Sequence, residues 1–206
     1  MTTRSRGARP GSPIVAVLTL LALVGVGWAY PKPSAVITRW QLEFEPGPLR
    51  LFVDPVDNEV YWYFTYVVTN ETGRDQIWAP SFVLYTDVGE ILTAGAGVPT
   101  RVEQSIRNLL GNPLLETQTE VIGEILQGKE HARDGLAVWP ARDTSVNELS
   151  LFIGGVSGET ARVINPITLE QVILRKTVQR DYLIPGNALA LGDRPVELAE
   201  ERWVMR

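Results

Sequence analysis

The chain has 206 residues, 45% of them hydrophobic and 21% charged, with six Trp; this is a globular composition, long enough for a domain plus extensions, and it argues against disorder. A formal net charge of −5 gives no electrostatic footprint for nucleic acid. With no cysteine there is no disulfide, thiolate nucleophile or Cys-based zinc site, so stability rests on apolar burial and hydrogen bonds.

Residues 1 to 13 carry Arg4, Arg6 and Arg9 and no acid; residues 14 to 28, IVAVLTLLALVGVGW, carry no charge, and Gly27 and Ala29 form a small-x-small arrangement before Tyr30. This is the layout of a secretory signal peptide, cut near Ala29, or of an uncleaved anchor whose basic flank stays inside. Either way the body is expected beyond the cytoplasmic membrane: periplasm, cell surface or extracellular space. Three of the 19 Lys and Arg lie in residues 1–29, which leaves the body 16 against 24 acids, a net charge of −8. Such a body does not cling to nucleic acid or anionic lipid, so the only membrane contact expected is through residues 14–28 if they are retained.

Residues 30–38, with Pro31 and Pro33, read as an extended linker. In RWQLEFE, residues 39 to 45, Trp40, Leu42 and Phe44 alternate onto one face. Pro46 and Pro48 are expected to end that strand, and a new one to begin at Leu49. DPVDNE turns the chain into YWYFTYVVTN, residues 61 to 70, where both faces are apolar: Trp62, Phe64, Tyr66 and Val68 on one, Tyr61, Tyr63, Thr65 and Val67 on the other. The heavier set is assigned to the core. The tyrosine face needs a cover, from the chain or from a partner. NETG, 70 to 73, reads as a turn. In IWAPSFVLYTD, Phe82 and Leu84 oppose Val83 and Tyr85, and Pro80 marks an edge or bulge before a reversal at Gly89.

The period then changes. Val102, Ile106, Leu109 and Leu110 fit one stripe of a helix over about 101–110, with Thr100 as N-cap, Glu103 at the capping-box position and Gly111 closing it. Residues 114–126 fit helix or strand about equally. Strands resume in GLAVWP, ELSLFIGGV and EQVILRKTVQRDYLI; in the last, Lys176 and Arg180 share a face with Val172, Leu174, Val178, Tyr182 and Ile184. The tail RPVELAEERWVMR fits helix or extended chain. The expected fold is therefore mainly β: an Ig-like antiparallel β-sandwich with one or two inserted helices, preceded by an N-terminal signal or anchor helix. The expected organisation is 1–29 signal or anchor, 30–38 linker and 39–206 one sandwich domain with a helical insertion around 101–126.

YVVTNETG followed by SFVLYTDVGEIL resembles the central strands of FxLYD-type bacterial Ig-like domains. Phe82, Leu84 and Tyr85 match the pattern literally, Asp87 is displaced by one residue, and Gly89 falls in the turn. The resemblance covers about residues 60–93 and implies an exported Ig-like module without catalytic residues; the helix near 101 and all that follows depart from a minimal domain of that type.

Motifs for chemistry are thin. His131 is the only histidine, in a polar loop. Asp54, Asp57, Asn58 and Glu59 cluster, but lack the glycine and distal glutamate of an EF-hand loop. Around Ser157, Gly155 fits the nucleophile elbow, but Glu159 stands where its last glycine belongs. No phosphate-binding glycine loop is present. No catalytic, cofactor or metal residue is assigned. The candidate interaction face is Tyr61, Tyr63, Thr65 and Tyr85. The expected role is a non-catalytic interaction or structural module of the bacterial cell envelope with an envelope protein as partner. An exported hydrolase using carboxylates and a strand-adding inhibitor or chaperone-like binder are the alternatives.

N-terminal sequencing of exported material separates the two readings of the leader. A chain starting near Tyr30 marks cleavage, whereas intact Met1 or Thr2 on a membrane-bound product marks an anchor.

Overall fold

Alternating apolar residues form extended chain over Glu43–Val53 (β1) and Val60–Thr69 (β2), paired antiparallel. In the computed structural model, residues 30–206 are described, and the leader expected at 1–29 lies outside them. Lys32–Arg206 makes one compact unit. The remaining strands are Gln76–Trp78 (β3), Ser81–Thr86 (β4), Ile91–Thr93 (β5), Glu116–Thr117 (β6), Gly123–Ile125 (β7), Arg133–Pro140 (β8), Glu148–Gly154 (β9), Thr160–Ile164 (β10), Gln171–Leu183 (β11) and Glu197–Met205 (β12), with one α-helix, Thr100–Leu110 (α1).

Two sheets face each other. One runs β1-β2-β8-β6; the other runs β5-β4-β9-β11, with β10 end to end with β9 along one edge of β11 and β12 along the other. The order β1-β2-β8 corresponds to strands A-B-E of an immunoglobulin-type sandwich, and β5-β4-β9-β11 to C′-C-F-G. β3 and β7 form a separate two-stranded sheet.

Trp62, Phe64, Tyr66 and Val68 of β2 are buried between the sheets with Phe82, Leu84, Leu151, Ile153 and Tyr182 from the facing layer. The Tyr66 ring stacks on Phe82 at 4.6 Å between centroids. It also lies across Gly135, its cross-strand neighbour on β8, where an added Cβ would have no room. The opposite face of β2 is covered by the chain itself: Tyr61, Tyr63, Leu136 and Val138 form a second cluster with Val102 and Ile106 of α1. The fold is thus a sandwich with one helix laid on an outer face, and this answers what hides the second apolar side of β2.

Several sequence-based expectations are corrected here. Residues 46–48 do not end β1; they make a bulge in it, because an edge strand tolerates prolines that have no N–H to give. Pro80 separates β3 from β4, which belong to different sheets. The insertion holds one helix, and residues 114–126 become β6 and β7. The expected capping box is not made: the N-cap is Pro99, without a side-chain bond, while Gly111 closes the helix at φ 64° as expected. Only the first half of the α1 stripe is buried; Leu109 and Leu110 are exposed. Asn70 of the NETG turn is fully buried, its amide donating to the carbonyls of Arg74 and Ile125 at 2.9 Å each. Its nitrogen is therefore committed to the fold.

Both faces of β2 are load-carrying, which urea midpoints can check. Phe64→Ala is expected to cost about 3–5 kcal/mol and Tyr63→Ala about 2–4 kcal/mol, because each leaves a cavity in a packed layer. A Tyr63→Ala chain as stable as the wild type would show that α1 does not cover this face.

Candidate functional site

The tyrosines singled out by sequence do not form a surface. Tyr61 and Tyr63 lie beneath α1, where burial pushes both phenols up. Thr65 is half-buried on the same face of β2. Tyr85 belongs to the other sheet, edge-on to Phe152 at 5.1 Å and with the Arg206 guanidinium 4.5 Å from its ring.

The acidic turn after β1 is likewise occupied. Asp54, fully buried, lies 2.9 Å from Arg101 in the first turn of α1, and Asp57 bonds the same guanidinium. The arginine sits where a cation would, and the turn fastens the helix to the sheet. His131 is in a short 3-10 turn, Lys129–His131, 3.9 Å from Glu130, and among the described residues no three His, Cys, Asp or Glu side chains cluster to hold a metal. Ser157 accepts the N–H of Glu159 within the loop between β9 and β10.

The most unusual chemistry is along β11. Its period-2 pattern turns Lys176, Val178, Arg180 and Tyr182 inward, so two cations enter the sandwich at 3% and 7% exposure. Charges in such surroundings persist only when paired. Lys176 Nζ is 3.3 Å from Glu159 Oε2, donates to the Ser34 carbonyl at 3.2 Å, and lies 4.8 Å from the Trp203 ring. Arg180 pairs with Glu201 and donates to the Tyr182 hydroxyl at 2.9 Å. Burial, partly opposed by Arg180, pushes that phenol up to about 12. Burial alone would also raise the Glu159 carboxyl, but hydrogen bonds from Ser34 together with Lys176 outweigh it and hold the group below the usual carboxylate range. Residues 30–38, expected as a free linker, are therefore pinned at Ser34.

These pairs are what fasten β12. Six of its nine residues are exposed, so it is held by the ladder to β11, by Glu201 on Arg180, by Arg202 on Asp181 at 2.8 Å and by Trp203 against Lys176. Arg175 and Arg206 exchange both backbone bonds. Antiparallel alternation then turns the N–H and C=O of Glu201 and Trp203 away from β11. Among the described residues β12 pairs with β11 alone, which leaves the outward groups of Glu201 and Trp203 without a strand from them. The strand, ELAEERWVM, contains neither proline nor lysine.

Several hollows flank α1, among them one of about 300 Å³ beside Gln104, Arg107 and Pro113. Another of about 430 Å³ is bordered by Pro46, Thr65, Val67, Leu110 and Leu115; a smaller one of about 270 Å³ lies between Leu109, Phe52 and Leu189. The larger is also lined by Glu45, Tyr66 and Asp134, and the smaller by Tyr63 and Asp193. Sequence reading placed Lys176 and Arg180 on the apolar face of one strand, and that misplacement of charge was the available signal for this site. The identity of their partners, and the open edge, were not legible.

The class defined by this architecture is an immunoglobulin-type β-sandwich with an added helix and an added edge strand. Comparison with protein-family models, characterised proteins and solved structures finds no match to this chain.

A carboxyl held low in the fold contributes stability that is present above the unfolded value and is lost as pH falls through the folded one. The gap in melting temperature between wild type and Glu159→Gln is therefore expected to be wide at neutral pH and to close below about pH 4. An undiminished gap in acid would mean that Lys176 does not depend on the charge of Glu159.

Proposed function

We propose that the exported body is a non-catalytic interaction module of the bacterial cell envelope, and that it takes a protein partner by strand addition along β12. The observation that carries this reading is the outer edge of β12 at Glu201 and Trp203, where no strand among the described residues pairs with it. Natural sheets blunt such edges with lysine, proline, bulges or a covering loop, because an unpaired ladder recruits strands. Here the blunting is partial: one bulge between Asp181 and Tyr182 of the pairing register, and acidic side chains at Glu197, Glu200 and Glu201. An added strand gains affinity from main-chain bonds and specificity from alternate side chains. Glu200 and Glu201 already answer Arg202 and Arg180 within the chain, so main-chain bonds rather than charge are what an added strand would gain.

The reading agrees with the basic, apolar and small-residue layout of residues 1–29, which supports export, and with the resemblance of residues 60–93 to FxLYD-type domains. The tyrosine face has no part in it, because α1 takes that role within the chain.

Affinity capture from envelope extract with the body, residues 30–206, tests the proposal. Ala199 is the unpaired residue of the β12 bulge, and proline is tolerated at bulges and edges while interrupting a ladder added to them. Ala199→Pro is expected to abolish capture with little change in melting temperature, and Leu109→Ser on α1 to leave capture intact. Equal capture by Ala199→Pro would place the interface elsewhere.

A further inference from the structure

The hairpin of β10 and β11 leaves the sandwich. From Thr160 to Ile164, β10 pairs only with residues 171–175 of β11, and the connecting loop, 165–170, is closed by Asn165, whose side chain accepts from the Ile167 and Thr168 amides. A two-stranded ribbon usually survives by packing on a third layer. This one instead exposes Ile164, Ile167, Leu169 and Ile173, with Ile167 at the tip 89% exposed. Leu169 occupies a left-handed conformation, φ 58°, in a loop where glycine or asparagine would be easier. A run of large apolar side chains exposed on one projection marks a surface that is covered in use.

What covers it is indicated by where the chain enters. The root of the hairpin is Glu159 and Lys176, and these two residues hold Ser34: its N–H donates to Glu159 at 2.8 Å and its carbonyl accepts from Lys176 at 3.2 Å. Six residues later Trp40 accepts the Gly158 amide at 2.9 Å at the same root. Between these attachments Val36 and Ile37 are also exposed. Upstream lies the uncharged apolar run 14–28, the stretch read as an anchor if it is retained. The four steps from Tyr30 to Ser34 reach at most about 15 Å, so a retained anchor keeps the hairpin root near the bilayer. The five residues of β10 extend about 17 Å, enough for the tip to meet it.

Charge points the same way. The body as a whole is acidic, yet Thr160–Arg175 carries Arg162 and Arg175 against Glu170 alone, and the entering segment carries Lys32 and Arg39 without an acid. Arg162 and Arg175 stand behind the tip, toward the root, and Glu170 is the charge in the tip loop itself; bases set behind an apolar tip suit an interface with anionic headgroups.

We propose that the 160–175 hairpin, with Val36 and Ile37, is a second membrane contact: its apolar tip seats in the outer headgroup layer beside the anchor and fixes the orientation of the sandwich on the membrane. The proposal rests on the anchored reading of residues 1–29.

Because the chain has no cysteine, a single one reports on a single place. The full chain is reconstituted in vesicles of phosphatidylethanolamine and phosphatidylglycerol, with Ile167→Cys or Val88→Cys carrying a nitrobenzoxadiazole dye. Val88 is exposed in the β4–β5 turn, at the end of β9 away from the hairpin. The expected result is blue-shifted emission at 167, roughly halved or more by nitroxide-labelled lipid at the 5–10 Å depth of interfacial insertion, and neither effect at 88. Vesicles that float with the chain while 167 and 88 are equally unquenched overturn the hairpin contact and leave the anchor standing. A chain that does not float with the vesicles overturns both. Blue-shifted emission at 167 that labelled lipid does not quench means that protein, a second copy included, covers the tip, and also overturns the proposal.

Discussion

The fold depends on one strand that is apolar on both sides. β2 lies between β1 and β8, so its backbone ladder is satisfied laterally, but neither of its faces can be left to water. The inner face meets the second sheet through Trp62, Phe64 and Tyr66; the outer face meets α1 through Tyr61 and Tyr63. Two covering layers follow from that requirement. The helix is thus part of the stability of the sandwich, inserted in sequence between strands β5 and β6 but packed on the opposite sheet from β5.

Charge is used in this molecule mainly as a fastener. Arg101 ties the start of α1 to Asp54 and Asp57; Lys176 and Glu159 tie down Ser34; Arg180 and Glu201 tie β12 to β11. Each pair lies at a joint between the central sandwich and a peripheral element. Removing one member of a buried pair leaves the other charge desolvated, which is costlier than never having had the pair. The same logic explains Asn70, whose buried amide joins the turn after β2 to β7.

The surfaces left over are the open edge of β12 and the apolar hairpin at the end where the chain enters. They are adjacent: Arg206, which follows β12, pairs with Arg175 at the hairpin root. With the hairpin on a bilayer, β12 would stand at the side of the sandwich, its edge open to a partner carried on or near the same membrane. The two proposals are independent in their observations, one resting on backbone pairing and the other on exposed apolar side chains.

Period-2 patterning in the sequence was sufficient for the mainly β class, for the inward set of β2 and for the turn chemistry, because alternation and turn residues are local properties of the chain. Helix α1 was legible from the i, i+4 spacing of Val102 and Ile106, although its cap was not, since Pro99 and the Arg101 pairs replaced the expected Thr100–Glu103 box. What neighbours decide was out of reach. Pro46 and Pro48 make a bulge because β1 is an edge strand; residues 114–126 become β6 and β7 because β8 and β3 offer ladders to them; the tail is extended because β11 has a free side. Lys176 and Arg180 were visible as charges on an apolar face, but Glu159, Ser34 and Glu201 became their partners only by long-range contact. Local sequence determines which faces of the chain must be hidden; only tertiary structure decides what hides them and which edge remains open.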